Sequence, residues 1–433
     1  MMWNETMESM PLEELRKIQR IRLQKTVEKV YLNTPFYRKK LQEMGLEPGD
    51  IQSIDDIVKL PFTTKQDLRD NYPFDLFASP MSEIVRLHAS SGTTGRPTVV
   101  GYSRKDLSIW SEAAARCITA YGGTKDDIFQ VSYGYGLFTG GLGVHGGVEK
   151  IGGTVIPMSS GNTDKQIMLM RDFGATAIAC TPSYALFLGE AIRDMNIPRE
   201  QLRLRFGAFG AEPWTESMRK EIEDKLGIKA YDIYGLSEII GPGVSYECEC
   251  QNGSHINEDH FFPEILNPET LKPVKPGEQG ELVFTTITKE GMPLLRYRTK
   301  DLCSLIYEKC DCGRTFTRMT RITGRSDDML IIRGVNVFPS QVESVILEMA
   351  EFEPHYLLIV DRMNNLDTLQ IQVETRPEYF SDEINKMLIL KKKISHRLQS
   401  VLGISADVKL MEPRSLERST GKAKRVIDNR KLD

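Results

Sequence analysis

No stretch of about 18 consecutive apolar residues occurs in the 433-residue chain, so a bilayer-spanning helix is not expected. Met1 to Glu8 carry acidic and polar side chains where a secretory signal needs a basic segment followed by an apolar one. A cytoplasmic protein without a membrane partner is expected. Positive charge is not in excess either, since 56 Lys and Arg stand against 60 Asp and Glu, a formal net charge of −4. That balance gives no general attraction to nucleic acid, and the one basic run, Lys391-Lys392-Lys393, reads as the solvated face of a helix. An acidic small molecule would have to be met by local cations. The remaining composition, 40% hydrophobic and 27% charged, is ordinary for a globular chain long enough for two or three domains.

Against those absences stands Ser90-Ser91-Gly92-Thr93-Thr94-Gly95-Arg96-Pro97-Thr98. Glycines let a backbone turn tightly and present its N–H groups, and the hydroxyls and Arg96 add donors, so the loop suits phosphate oxygens. A solvated Ser/Thr/Gly turn is the plainer alternative. The loop lacks the Gly-Lys-Ser/Thr ending that would open a helix, which excludes a P-loop NTPase. Ile84, Val85 and Leu87 before it and Val99, Val100 and Tyr102 after it predict that it joins two strands.

Periodicity supplies the rest of the organisation. Leu12, Leu15, Ile18, Val27 and Val30 predict an amphipathic amino-terminal helix, and Pro61 to Lys65 a loop and cap before another. Short apolar strands at 128–132, 154–157, 177–180 and 206–210 alternate with helical stretches, which argues for α/β layering. Beyond about residue 325, Val342, Val345, Ile346 and Met349 fall at helical spacing, followed by a strand over 356–360 and an alternating strand over 369–373; a second, α+β domain starts there. The tail Ser419 to Arg425 is glycine-punctuated and cationic, a solvated end by composition.

Of seven cysteines, four fall in Cys248-Glu249-Cys250 and Cys310-Asp311-Cys312-Gly313, with His255 near the first pair. In a cytosolic protein such clusters point to metal ligands rather than disulfides, although no standard CxxC pair is present and reduced, metal-free cysteines are the alternative. If Asn252-Gly253 forms a two-residue hairpin turn, Cys250 faces His255 and Cys248 lies on the same side. A tetrahedral zinc site then has five candidates for four places.

Gly210-Ala211-Glu212-Pro213, Tyr234-Gly235-Leu236-Ser237-Glu238, Tyr297-Arg298-Thr299-Lys300-Asp301, Gly324-Arg325-Ser326-Asp327-Asp328 and Thr420-Gly421-Lys422 follow the first loop in order. Together they resemble the adenylate-forming superfamily of acyl-CoA synthetases, luciferases and peptide-synthetase adenylation domains. Glu258-Asp259-His260-Phe261 and the run from Ile322 to Pro339 make the phenylacetate-CoA ligases the most similar branch, over roughly residues 10–430. Thr98, where many superfamily members carry lysine, and the short chain both fit that branch.

The resemblance implies an α/β fold: a large multi-layer amino-terminal domain over 1–325, with a helical segment over about 1–80, and a small mobile α+β carboxyl-terminal domain over 328–433 hinged near Asp327. It implies ATP, Mg²⁺ and coenzyme A, an aryl carboxylate activated as its adenylate and passed to the thiol, a role in phenylacetate catabolism, and a homodimer. Ser90, Ser91, Gly92, Thr93, Thr94, Gly95 and Arg96 would hold the phosphates. Gly210, Ala211, Glu212, Pro213, Asp232, Tyr234, Gly235 and Ser237 would complete the nucleotide site. Glu238 matches the magnesium-binding glutamate, and by position alone would be an acid at a helix start. Asp301 matches the ribose-binding aspartate and otherwise reads as a strand-end residue. Arg325 lies near ribose and phosphate, and Lys422 is the lysine that bridges carboxylate and α-phosphate. Lys65 is read as a surface lysine rather than a phosphate contact. Tyr135, Phe138, Ile239 and Pro242 would line an aryl pocket, or simply pack in the core. Zinc-bearing members of the branch imply Cys248, His255, Cys310 and Cys312 as ligands of a structural Zn²⁺, with Cys250 in reserve. Two alternatives stand beside this reading: an adenylating enzyme for another aryl acid or a non-CoA acceptor, and a zinc-containing nucleotide-binding regulatory module.

Overall fold

The computed structural model describes residues 1–90, 97–326, 330–333, 335–363, 366–381, 383–419 and 423–430. Two compact units emerge, one of residues 1–180, 197–211 and 228–321, the other of 181–196, 212–227 and 322–433. The second unit is thus discontinuous in sequence, its last and longest segment starting at Ile322, while Asp327 lies outside the described residues.

In the first unit β1 (Ile84–Ala89) and β2 (Val99–Ser103) form an antiparallel pair, so the loop between them does join two strands. Parallel strands follow: β3 (Ile128–Val131), β4 (Thr154–Ile156), β5 (Ala177–Cys180), β6 (Phe206–Gly210) and β7 (Lys229–Leu236), ordered β4-β3-β5-β6-β7. Every residue of β5 and β6 is buried, which is why those strands read as apolar runs rather than alternating ones. At β7 the direction reverses. β8 (Gly241–Tyr246) pairs antiparallel with it, and β9 (Ser254–Ile256) extends the same sheet. A separate antiparallel sheet joins β10 (Phe261–Leu266), β11 (Gly280–Thr286) and β12 (Tyr297–Cys303). Phe129, Val131, Val144, Val148, Ala179, Ala208 and Ile233 form the core beneath the main sheet. Binding loops are expected where the parallel strands end, and Gly210-Ala211 and Tyr234-Gly235 stand there.

The amino-terminal helix runs over Leu12–Asn33 and buries Leu15, Leu23, Val27 and Val30, but Leu12 is exposed and Ile18 only half-buried. Gln19 takes a core place instead, because its amide donates to the Glu258 carbonyl at 2.9 Å. Thr64 caps the helix Lys65–Asp70 reciprocally with Asp67, the capping-box arrangement.

The second unit holds a four-stranded sheet in which Phe352–Met363 pairs antiparallel with Leu366–Thr375, flanked in parallel by Val426–Asp428 and Asp407–Met411. Leu369, Ile371 and Val373 are buried while the intervening glutamines are not, the period-two signature that predicted the strand. Helix Pro339–Leu347 contributes Val342, Val345 and Ile346 to the same core as Ile394 and Leu398 of helix Ile384–Leu402. Helices Pro182–Asp194 and Glu216–Leu226 belong to this unit as well.

Candidate functional site

The end of β7 carries the densest set of expected residues. Tyr234 donates its phenolic hydrogen to Asp301 Oδ2 at 2.5 Å. Burial, reinforced by that carboxylate, holds the phenol well above its ordinary range, so it stays a donor. Asp301 N bonds Thr299 Oγ1 at 3.0 Å, and that hydroxyl donates to Leu282 O at 2.7 Å. The cations beside Asp301 point elsewhere: Arg298 and Lys300 approach the buried Glu281 at 2.7 and 3.5 Å. Asp232, two residues before Tyr234 and on the same face of the strand, has Arg321 Nε at 3.8 Å.

Backbone sterics explain the motif glycines. A Cβ on Gly210 would lie 2.0 Å from Ile233 O, and one on Gly235 1.9 Å from Gly241 O. Ala211 follows at φ 69°, a left-handed conformation that a residue with a side chain adopts only under constraint from its surroundings. Gly235→Ala is therefore expected to destabilise the protein by about 1–3 kcal/mol and to displace the following turn. Thermal melting together with nucleotide titration checks this, and an unshifted melt with wild-type affinity would contradict it.

That turn holds Ser237 and Glu238, both buried. Thr139 Oγ1 lies 2.9 Å from Ser237 Oγ, Tyr102 Oη donates to Ser237 O and Ile240 O at 3.3 and 3.1 Å, and Lys289 Nζ donates to Glu238 O at 3.0 Å. Burial lowers the Lys289 ammonium to about 8, against the pull of Asp106 and Glu238. Among the described residues no side chain hydrogen-bonds to or pairs with the Glu238 carboxylate, which suits a hard oxygen ligand kept for a cation. In sequence Tyr102 reads only as a strand residue and Lys289 carries no mark, since no local signal identifies either as part of the site.

Ser90 Oγ is hydrogen-bonded to Thr98 Oγ1 and Ser90 N to Thr98 O at 3.0 Å, a latch at the base of the first loop. Ser91, Gly92, Thr93, Thr94, Gly95 and Arg96 lie outside the described residues, as does Lys422. In the second unit Glu212 accepts from Ser183 N at 2.7 Å and Ala423 N at 3.0 Å; Pro213 is exposed and Arg325 half-buried.

The four apolar candidates differ in setting. Tyr135 and Phe138, both half-buried, pack against the core just past β3, and Tyr135 Oη lies 3.2 Å from His145 Nδ1. Ile239 is fully buried, and Pro242 O accepts from Trp110 Nε1 at 2.9 Å.

A second cluster is built from distant segments. One ligand atom each from Cys248, His255, Cys310 and Cys312 lies within 4.8 Å of all the others. Cys248 Sγ is 3.7 Å from Cys310 Sγ, and Cys312 Sγ is 3.4 Å from His255 Nε2. Around an ion with metal–sulfur bonds of about 2.3 Å and metal–nitrogen bonds of about 2.05 Å, tetrahedral edges are about 3.8 and 3.6 Å, close to those distances. His255 Nδ1 faces Phe316 O at 3.3 Å, the outer hydrogen bond that orients a ligating imidazole. The proximity of Cys248 and of His255 lowers the Cys312 thiol while that of Cys248 is raised, so the pair favours a single thiolate, the ligating form. The expected hairpin register does not occur: Tyr246, not Cys250, pairs with His255. Gln251 and Gly253 take φ of 49° and 82°, so 247–253 form a longer connection, and Cys250 is exposed, outside the cluster.

The Glu258-Asp259-His260-Phe261 motif proves to be a buried ionic network. Arg116, 2% exposed, donates to Asp259 at 2.8 and 3.2 Å and to Asn257 Oδ1 at 3.0 Å. Burial lowers the His260 imidazole from 6.5 to about 4 despite Asp259 beside it. The folded state thus keeps His260 neutral where the unfolded chain takes up a proton, and its contribution to stability is lost as pH falls from 6.5 toward 4. The loss is about 3 kcal/mol at 1.36 kcal/mol per pKa unit. His260→Gln should flatten that stretch of the stability–pH curve in denaturant titrations; an unchanged slope would refute the assignment.

The strand-end loops and the two compact units are features of the adenylate-forming enzymes, the class that the family and structure matches give for this chain. Residues 30–288 match the AMP-binding enzyme family and residues 334–430 the AMP-binding enzyme C-terminal domain. The chain is 49% identical to the phenylacetate-coenzyme A ligase of Thermus thermophilus, covering 100% of both chains, and 51% identical to that of Escherichia coli, covering 98% of this chain and 97% of the other. The crystal structure of 2-hydroxyisobutyryl-CoA ligase in the postadenylation state with 2-HIB-AMP matches with a TM-score of 0.93 at 30% identity, over 98% of this chain and 92% of that one. The chain belongs to the AMP-binding enzymes and, among them, to the phenylacetate-coenzyme A ligase family. No helix of the described residues is long and apolar enough to cross a membrane.

Proposed function

We propose that the protein joins phenylacetate to coenzyme A in two steps, consuming ATP and releasing pyrophosphate and AMP. The observation that carries this reading is end-to-end likeness, near half identity, to ligases named for that acid. In the first step a carboxylate oxygen attacks the α-phosphorus and pyrophosphate leaves. In the second, the thiol sulfur attacks the acyl carbonyl and AMP leaves.

Asp301, oriented by the Tyr234 hydroxyl, offers two acceptor oxygens to the ribose hydroxyls. The loop from Ser90 to Arg96 supplies donors to the phosphates, and Arg325 a further cation. Glu238 would hold the magnesium ion, which when bound neutralises charge on phosphate oxygens. Lys422 serves as a positioned point charge between carboxylate and α-phosphate, carried by a carboxyl-terminal domain hinged at Asp327. Tyr135, Phe138, Ile239 and Pro242 favour a flat apolar body behind the carboxylate. Zinc on Cys248, His255, Cys310 and Cys312 would be structural, since four protein ligands leave no open position.

Incubation with ATP and phenylacetate, with and without coenzyme A, tests the reading. Thioester and AMP in equal amounts, dependent on the thiol, are expected. AMP release indifferent to coenzyme A would point to another acceptor, and no acid-dependent AMP would defeat the proposal.

A further inference from the structure

Lys289 is 3% exposed, although lysine is among the residues least often buried and an ammonium out of water is costly. Its surroundings are specific. Asp106, itself buried, accepts Glu290 N and Gly291 N at 2.6 and 2.8 Å, which fixes the backbone just beyond Lys289. The ammonium lies 4.9 Å from the Tyr102 ring centroid, where a desolvated cation gains from the ring face. Its hydrogen bond goes to the Glu238 carbonyl and not to the Glu238 carboxylate. Tyr102 holds the carbonyls of Ser237 and Ile240, so two side chains that touch each other grip three carbonyls of one turn. His88 packs edge-on against Tyr102 at 5.4 Å and turns its Nδ1 to Leu137 O, and Trp110 stacks on the same ring at 5.1 Å.

We propose that Lys289 is a positioning residue which, with Tyr102, clamps the turn Ser237 to Ile240 so that the Glu238 carboxylate is aimed at the metal of the bound nucleotide. A lysine bonded to the main chain fixes Glu238 without consuming its charge; an ion pair with the carboxylate would compete with the cation. The inference rests on the reading of Glu238 given above and adds the device that orients it.

The test uses the full chain carrying Lys289→Met, similar in length and uncharged, and Tyr102→Phe, which loses only the hydroxyl. Equilibrium titration with a non-hydrolysable ATP analogue, in magnesium and in EDTA, gives the affinity advantage conferred by the metal. Lys289→Met should cut that advantage about tenfold or more, the scale of outer ligand-orienting contacts, with metal-free binding unchanged. Tyr102→Phe should act in the same direction and less. A merely structural lysine would lower the melting temperature and leave the advantage intact, an outcome that overturns the proposal. Should Lys289→Met not fold, Tyr102→Phe decides by the same criterion. Glu238→Gln is the reference: if it too keeps the full magnesium advantage, the assignment of Glu238 fails and the clamp with it. If Glu238→Gln abolishes the advantage and the clamp variants do not reduce it, the clamp alone fails.

Discussion

Lys422→Ala is expected to depress acid-dependent pyrophosphate exchange by about 10²–10³-fold, the scale on which a single preorganised charge-stabilising group acts in a dry site. Two anions meet in adenylation, the carboxylate and the α-phosphate, and the net charge of −4 provides no general cationic field to bring them together. The residues just beyond this lysine are anchored, because Ala423 N bonds Glu212 and Arg425 stacks over Tyr356 at 4.5 Å while reaching Ser183 Oγ at 3.2 Å. In thioester formation the attacking thiol meets an acyl group already activated, and the lysine has no second anion to bridge. Thioester formation from supplied phenylacetyl adenylate should therefore fall far less than exchange does. Comparing the two half-reactions in the same variant separates a group acting in one transition state from a general defect. Equal losses in both would contradict the assigned role.

Cys310→Ser should abolish the proposed zinc binding and lower the melting temperature by roughly 5 °C. Cys248 and Cys310 are 62 positions apart in sequence, and cross-linking a loop of that length restricts the unfolded chain by about 4 kcal/mol on entropic grounds; at about 1–2 °C per kcal/mol for a chain of this size that is the shift stated. The neighbouring buried pair of Arg314 and Glu8, at 2.6 Å, ties the amino-terminal segment to the same knuckle, so its loosening should spread there. Cys250→Ser, at an exposed cysteine outside the cluster, should change neither zinc content nor melting. Metal analysis and calorimetry decide the matter. Protein purified without chelator but devoid of zinc, or a melt indifferent to Cys310→Ser, would remove the site.

Local regularity made much of the fold legible. Strands over 177–180 and 206–210, the cap at Thr64 and the alternating strand around Leu369 to Val373 each follow from spacing and residue type, because burial imposes its period on the residues that meet the core. The motif residues were legible only as an ordered set. What sequence did not reveal depends on partners far apart along the chain. Arg116 meets Asp259 across 143 positions, and Lys289 reaches Glu238 across 51; neither leaves a local pattern. The register near His255 departs from the hairpin that Asn-Gly favours, because left-handed Gln251 and Gly253 open a longer connection that directs Cys248 inward. Helices Pro182–Asp194 and Glu216–Leu226 join the carboxyl-terminal residues in one compact unit, a grouping set by contacts rather than by chain order.

The proposed reaction of this chain is transfer of the adenylyl group of ATP to an aromatic carboxylate. Exchange of labelled pyrophosphate into ATP, measured without coenzyme A over a panel of aryl acids, tests it most directly. Exchange that requires an acid and is greatest with phenylacetate is predicted, and its absence with every aryl acid offered would contradict the account.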